Sequence, residues 1–107
     1  MRQAGRICAL THLALGPYLR PGVSTAELNA VAEHTLRSHG AEPTFLGYQG
    51  YPAAICASRN DEIVHGIPRS DVRLASGDIL SIDIGATFHG WVADSAWTYP
   101  IGSVLSE

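Results

Sequence analysis

Residues 79–99 read Ile79-Leu80-Ser81-Ile82-Asp83-Ile84-Gly85-Ala86-Thr87-Phe88-His89-Gly90-Trp91-Val92-Ala93-Asp94-Ser95-Ala96-Trp97-Thr98-Tyr99. Two β-rich runs, Ile79 to Thr87 and Trp91 to Tyr99, flank the turn pair His89-Gly90, which predicts a hairpin. Along the first run Leu80, Ile82 and Ile84 point one way, while Ser81, Asp83 and Gly85 point the other. Along the second, Val92, Asp94, Ala96 and Thr98 share a face. A turn centred on His89-Gly90 pairs Phe88 with Trp91, sets Asp83 opposite Ala96 and sets Asp94 opposite Gly85. Both aspartates then project from one face as diagonal neighbours, with Cβ atoms up to about 7–8 Å apart. A slip of one residue separates them onto opposite faces.

Two carboxylates in a confined, partly apolar setting do not both stay ionised cheaply without a cation, and a divalent metal is the natural one. Paired ions roughly 3.5–4 Å apart are a known means of activating water for hydrolysis. Two aspartates on a hairpin are, however, more often solvated edge charges, and spacing alone leaves both readings open. Gly85 facing Asp94 leaves room above the sheet for a ligand.

Working back from the hairpin, Arg69 to Asp78 is a polar connector with a turn at Gly77-Asp78. Ala53 to Ala57 reads as a short strand and Ile63-Val64 as another, stopped by Gly66 and Pro68. From Ala41, Gly47, Gly50 and Pro52 interleave with Phe45, Tyr48 and Tyr51, predicting a structured loop that projects aromatic side chains. Before it lies a well-marked helix. Ser24 and Glu27 form a capping box, Val23 and Leu28 occupy staple positions, and Leu28, Val31, Ala32, Thr35 and Leu36 follow the rhythm of a buried face. Gly40 supplies the left-handed residue that ends it. An earlier helix runs from about Arg2 to Leu19, with Ile7, Leu10, Ala14 and Tyr18 at helical spacing and Pro17 breaking it near its end. Helix, helix, then strands predicts one α+β domain over residues 1–107, helices packed on one face of a mainly antiparallel sheet.

Bulk properties remove several classes of function. The 107 residues are 46% hydrophobic and 16% charged, with a net charge of −3 from seven arginines, ten acids and no lysine. No basic stripe exists to neutralise a phosphate backbone, so direct nucleic-acid binding is not expected. No apolar run approaches the ~20 residues that span a bilayer, so no membrane role is expected either. Thr11 and His12 interrupt any secretory core near the N-terminus. Cys8 and Cys56 are too few and too distant to form a disulfide framework, which suits a reducing cytoplasm.

Other residues are weaker signals taken singly. His65, in Val64-His65-Gly66-Ile67-Pro68, stands where an imidazole meets a substrate or simply pins a turn. His12, His34 and His39 read as helix-surface residues and His89 as a turn residue. Cys56, within Ala-Ile-Cys-Ala, reads as a small buried hydrophobe. Tyr48 and Tyr51 serve equally as a pocket wall or as loop anchors.

Taken in order, the segments resemble type I methionine aminopeptidases over essentially the whole chain. The resemblance rests on Arg20-Pro21-Gly22-Val23-Ser24-Thr25, Gly47-Tyr48-Gln49-Gly50-Tyr51-Pro52 and Ile55-Cys56-Ala57-Ser58. It continues through Asn60, His65-Gly66-Ile67-Pro68, Gly77-Asp78-Ile79, Ser81-Ile82-Asp83-Ile84-Gly85 and Asp94-Ser95-Ala96-Trp97-Thr98. It departs at Gln49 and Val92-Ala93, which flank the motifs. The resemblance implies a pita-bread fold of two similar halves facing each other across a dinuclear metal site, and removal of the initiator methionine from new polypeptides. By motif match it implies that Asp83 and Asp94 are metal ligands, the latter bridging two divalent ions drawn from cobalt, manganese, iron or zinc. It implies that His65 contacts the substrate near the scissile bond, and that Phe45, Tyr48, Tyr51 and Cys56 wall the methionine pocket.

In that family the remaining ligands, one His and two Glu, and a second catalytic His follow the second aspartate. The expectation is therefore an N-terminal half with little peptidase activity alone. Two alternatives stand beside it. One is a short binding or regulatory form acting at the ribosome or with a full-length partner. The other is a sibling of the same fold, such as a proline dipeptidase or creatinase-like hydrolase, against which the Gly47–Pro52 and Ile55–Ser58 blocks argue.

Overall fold

The computed structural model describes residues 2–46, 53–60, 67–68 and 73–101, with only the backbone of Arg2. Its elements run α1 (Arg2–Leu15), a 3-10 turn (Gly16–Tyr18), α2 (Thr25–Ser38), β1 (Glu42–Pro43), β2 (Ile55–Arg59), β3 (Ile79–Phe88) and β4 (Trp91–Pro100). The expected α+β class is what is observed: two helices on one antiparallel sheet. The expected strands at Ile63-Val64 lie outside the described residues.

Strand β3 organises the sheet, because every other strand hydrogen-bonds to it. β4 pairs along its whole length, from Ile79 opposite Pro100 to Phe88 opposite Trp91. β2 pairs antiparallel with residues 80–84, and β1 with Ala86 and Thr87. The turn between β3 and β4 uses His89 at φ 51° and Gly90 at φ 81°, two successive left-handed residues. That is the backbone whose twist suits a two-residue hairpin.

Alternation along β3 separates the two faces. Leu80, Ile82, Ile84 and Ala86 are fully buried and meet Leu28, Ala32 and Leu36 of α2 and Ile7, Cys8 and Leu15 of α1 in one core. Helix α2 forms as its caps predict. Ser24 Oγ accepts from Glu27 N at 3.1 Å, and Glu27 Oε1 accepts from Ser24 N at 2.8 Å. Such a box is worth ~1 kcal/mol. Gly40, at φ 81°, follows the helix end.

Helix α1 differs from the expectation in both length and face. It stops at Leu15, and Pro17 sits in the 3-10 turn that follows. Its buried positions are Ala4, Ile7, Cys8, Thr11, His12 and Leu15, whereas Leu10 and Tyr18 are exposed. Burial of His12 corrects its reading as a surface residue, and the cause is a polar site made by β4. His12 stacks flat on Trp97, ring centroids 4.4 Å apart. Its Nδ1 lies 2.6 Å from Tyr99 Oη and its Nε2 3.3 Å from the Ser95 carbonyl. An imidazole protonated at Nε2 satisfies both, donating to Ser95 and accepting from the tyrosine hydroxyl. His34, His39 and His89 are exposed, as expected.

Burial lowers the His12 pKa from 6.5, partly opposed by the Ser95 carbonyl, and raises that of Tyr99 to about 12. A histidine whose folded pKa lies below its unfolded value favours the folded chain when neutral. Its contribution is complete above pH 6.5 and is lost as pH falls through the lower, folded value. Denaturant melts between pH 7.5 and 5 should therefore show a smaller loss of stability with acid in His12→Gln than in the unaltered chain. Equal slopes would rule out this role for His12.

Candidate active site

The face of β3 turned away from the helices carries Ser81, Asp83, Gly85 and Thr87, by strict alternation with the buried aliphatics. The register places Asp83 opposite Ala96 and Gly85 opposite Asp94. Both aspartates therefore stand on one face as diagonal neighbours, as the hairpin pattern predicts. On the other side of β3, Cys56 is the direct partner of Asp83. A row Cys56–Asp83–Ala96 thus crosses three strands, with Asp94 one diagonal step away. Asp83 and Cys56 are half-buried and Asp94 is exposed.

The space over Gly85 is filled. A Cβ built there would lie 3.0 Å from Thr44 Cβ and 3.2 and 3.4 Å from Cε1 and Cζ of Phe45. The expected room for a ligand directly above Gly85 is taken by this ring, which brings Phe45 to the aspartate face. Thr44 is held in place twice: its N–H donates to the Gly85 carbonyl at 3.1 Å, and its Oγ1 lies 2.8 Å from Thr87 Oγ1. On the far side of residues 47–52, Asn29 Oδ1 of α2 accepts from the backbone N–H of Ala54 at 2.8 Å and of Ile55 at 3.2 Å. These clamps went unread in the sequence. The only signal was that Thr87 shares the face of Gly85, and nothing pointed from Asn29 to the backbone of Ala54 and Ile55 at the start of β2.

Four of the sequence-derived site residues, Phe45, Cys56, Asp83 and Asp94, thus border one surface. Tyr48, Tyr51 and His65 lie outside the described residues. Beneath the sheet, Cys8 Sγ sits 3.7 Å from the Ile84 carbonyl and 3.5 Å from that of Ala93, the peptide oxygens just before Gly85 and Asp94. Burial is the main cause that raises its thiol pKa above the ordinary value, so it is a packed group rather than a reactive one.

The donor set fits part of a metal site. Hard carboxylate oxygens on one rigid hairpin suit divalent cations. Among the described residues, no group of three or more His, Cys, Asp or Glu side chains gathers to complete one.

The pattern of metallopeptidase family M24 matches residues 1–107, the whole chain. This chain belongs to that family. Within M24 it is 55% identical over 107 residues to methionine aminopeptidase 1 of Bacillus subtilis (strain 168), a match that takes in all of this chain and 43% of the relative. A crystal structure of methionine aminopeptidase from Rickettsia prowazekii superposes with a TM-score of 0.92 at 37% identity, covering 98% of this chain and 42% of that one. Aminopeptidase P of Escherichia coli superposes less closely, with a TM-score of 0.75 at 26% identity, covering 92% of this chain and 21% of that one. Half of a pita-bread fold, as expected from sequence, is therefore what is observed, and the chain spans less than half the length of its methionine aminopeptidase relatives.

Proposed function

We propose that these residues form the portion of a methionine aminopeptidase that supplies two carboxylate ligands and much of the pocket for the methionine side chain. The observation that carries the reading is the shared face of Asp83 and Asp94, bordered by Cys56 and Phe45. Divalent ions, two in this reading, would supply Lewis acidity for attack on the first peptide bond. Asp83 and Asp94 would hold them. Phe45 and Cys56, with Tyr48 and Tyr51, would receive the thioether, which packs well on aromatic edges and sulfur. His65 would contact the substrate near the scissile bond. The substrate would be the N-terminal methionine of nascent chains, met at the ribosome in the cytoplasm, where Cys8 and Cys56 remain free thiols. The alternative of a sibling of the same fold, such as a proline dipeptidase or creatinase-like hydrolase, has weaker support, since aminopeptidase P superposes less closely and at lower identity than methionine aminopeptidase.

Reconstitution tests the proposal. This chain alone, with Mn²⁺ or Co²⁺ and a Met-Ala peptide, should give no measurable turnover, because its described residues bring only two carboxylates together. Adding, as a second polypeptide, the part of the Bacillus subtilis relative outside the match should restore cleavage. That cleavage should disappear again with Asp94→Asn in this chain. Robust turnover by the chain alone, or restored turnover indifferent to Asp94, would contradict the assignment.

A further inference from the structure

We propose that His12 is a positioning residue for Asp94: from helix α1 it grips the opposite face of β4 and fixes the backbone from which that carboxylate projects. The inference rests on the metal-ligand reading above and extends it to a residue that touches neither cation nor substrate.

The two aspartates are not held alike. Asp83 has a strand on each side, with Cys56 opposite it on β2 and Ala96 on β4. Among the described residues, Asp94 has a strand on one side, where Gly85 of β3 faces it. The face of β4 turned toward the helices carries Ala93, Ser95, Trp97 and Tyr99, alternating with Asp94 and Ala96. Two residues of α1 bond to it. Cys8 and His12, four apart and so on one side of the helix, stand beneath the two ends of Asp94-Ser95. Cys8 Sγ lies 3.5 Å from the Ala93 carbonyl, in the peptide that enters Asp94. His12 Nε2 lies 3.3 Å from the Ser95 carbonyl, in the peptide that leaves Ser95.

A thiol is a weak donor, so the imidazole is the stronger of the two holds. It is also the better anchored. His12 is fully buried, lies flat on Trp97 with ring centroids 4.4 Å apart, and has Tyr99 Oη 2.6 Å from its Nδ1. A tyrosine hydroxyl donating to Nδ1 leaves the ring proton on Nε2, aimed at the Ser95 carbonyl. One ring therefore engages Ser95, Trp97 and Tyr99 together. A leucine would fill a buried helix position without the cost of burying polar nitrogens, so the histidine calls for a reason. The geometry supplies one in the hold on β4 beside Asp94. The Cα–Cβ direction of Asp94 follows its backbone, and a looser β4 lets its carboxylate drift from Asp83.

The test uses the 107-residue chain, with Mn²⁺ titrated calorimetrically and ¹³Cα shifts, which follow backbone conformation, recorded without metal. His12→Leu keeps the bulk and makes neither hydrogen bond. It should weaken Mn²⁺ binding by about threefold or more, and should move the ¹³Cα signal of Asp94 more than that of Asp83. His12→Gln, able to donate to the Ser95 carbonyl and accept from Tyr99, should keep the affinity within about twofold of the unaltered chain. Tyr99→Phe, which frees the tautomer, should weaken binding in the same direction as His12→Leu. Leu36→Val, a core change on α2, should lower stability and leave Mn²⁺ affinity unaltered. Unchanged affinity in folded His12→Leu overturns the proposal and leaves the metal-ligand reading intact. So does a loss in Leu36→Val or in His12→Gln equal to that in His12→Leu. Should His12→Leu fail to fold, unchanged affinity in Tyr99→Phe overturns the proposal instead. No Mn²⁺ binding by the unaltered chain overturns the metal-ligand reading and the proposal together.

Discussion

Asp94→Asn is expected to weaken divalent-cation binding by this chain more than about tenfold, toward the limit of detection in a calorimetric titration with Mn²⁺ or Co²⁺. The argument is geometric. Two carboxylates from one hairpin face form a weak site with its remaining positions open to water, so each contributes a large share of the attraction. Replacing one by a neutral amide removes a full charge while leaving β4 unchanged in shape. Asp83→Asn should have the same effect. Asp78 is the internal control: its carboxylate accepts from Ala75 N at 2.8 Å and from Asn60 Nδ2 at 3.2 Å, at the mouth of β3 and five residues from Asp83. These bonds, the Ala75 backbone first, lower its pKa. Asp78→Asn should leave cation binding unaltered. Equal affinities in Asp94→Asn and the unaltered chain would remove the case for a metal on this face.

The largest effect on stability should come from Ile82→Ala, at about 2–5 kcal/mol. Ile82 is fully buried at the centre of β3, paired with Ala57 on one side and Trp97 on the other. Its methyl groups fill the layer between sheet and helices, and a side chain hemmed by strands on both sides leaves a cavity that does not collapse. Domains of this kind have only about 5–15 kcal/mol in total. The urea midpoint should drop sharply with little change in slope. A loss below about 1 kcal/mol would mean that the core around β3 relaxes freely.

The hairpin was legible in the sequence down to its register. Its period-two pattern leaves one arrangement that buries Leu80, Ile82 and Ile84, and His89-Gly90 fixes the turn. Helix α2 was legible for a similar reason, since Ser24, Glu27 and Gly40 mark its ends locally. Helix α1 was legible as a helix but not in its buried face, because the residues that define that face include Thr11 and His12. Polarity hid them: the partners that make His12 a core residue, Trp97 and Tyr99, lie more than eighty positions away. β1 escaped notice because two residues carry no periodicity. The carboxylate face was readable from spacing, although spacing alone left a metal and solvated edge charges both open. What could not be read was the packing of Phe45 onto Gly85, a contact between a loop and a strand forty residues apart. Sequence reading took that glycine as empty space, whereas a ring occupies it.

The unequal bonding of β3 and β4 has a dynamic corollary. β3 pairs with other strands along nearly all its length and on both edges, whereas among the described residues β4 pairs with no strand but β3. Amide protons of β3 will be the last in the molecule to exchange with solvent, and those facing outward on β4 will go early. Asp83 is thus mounted on the stiffest beam of the framework, and Asp94 on its more compliant neighbour.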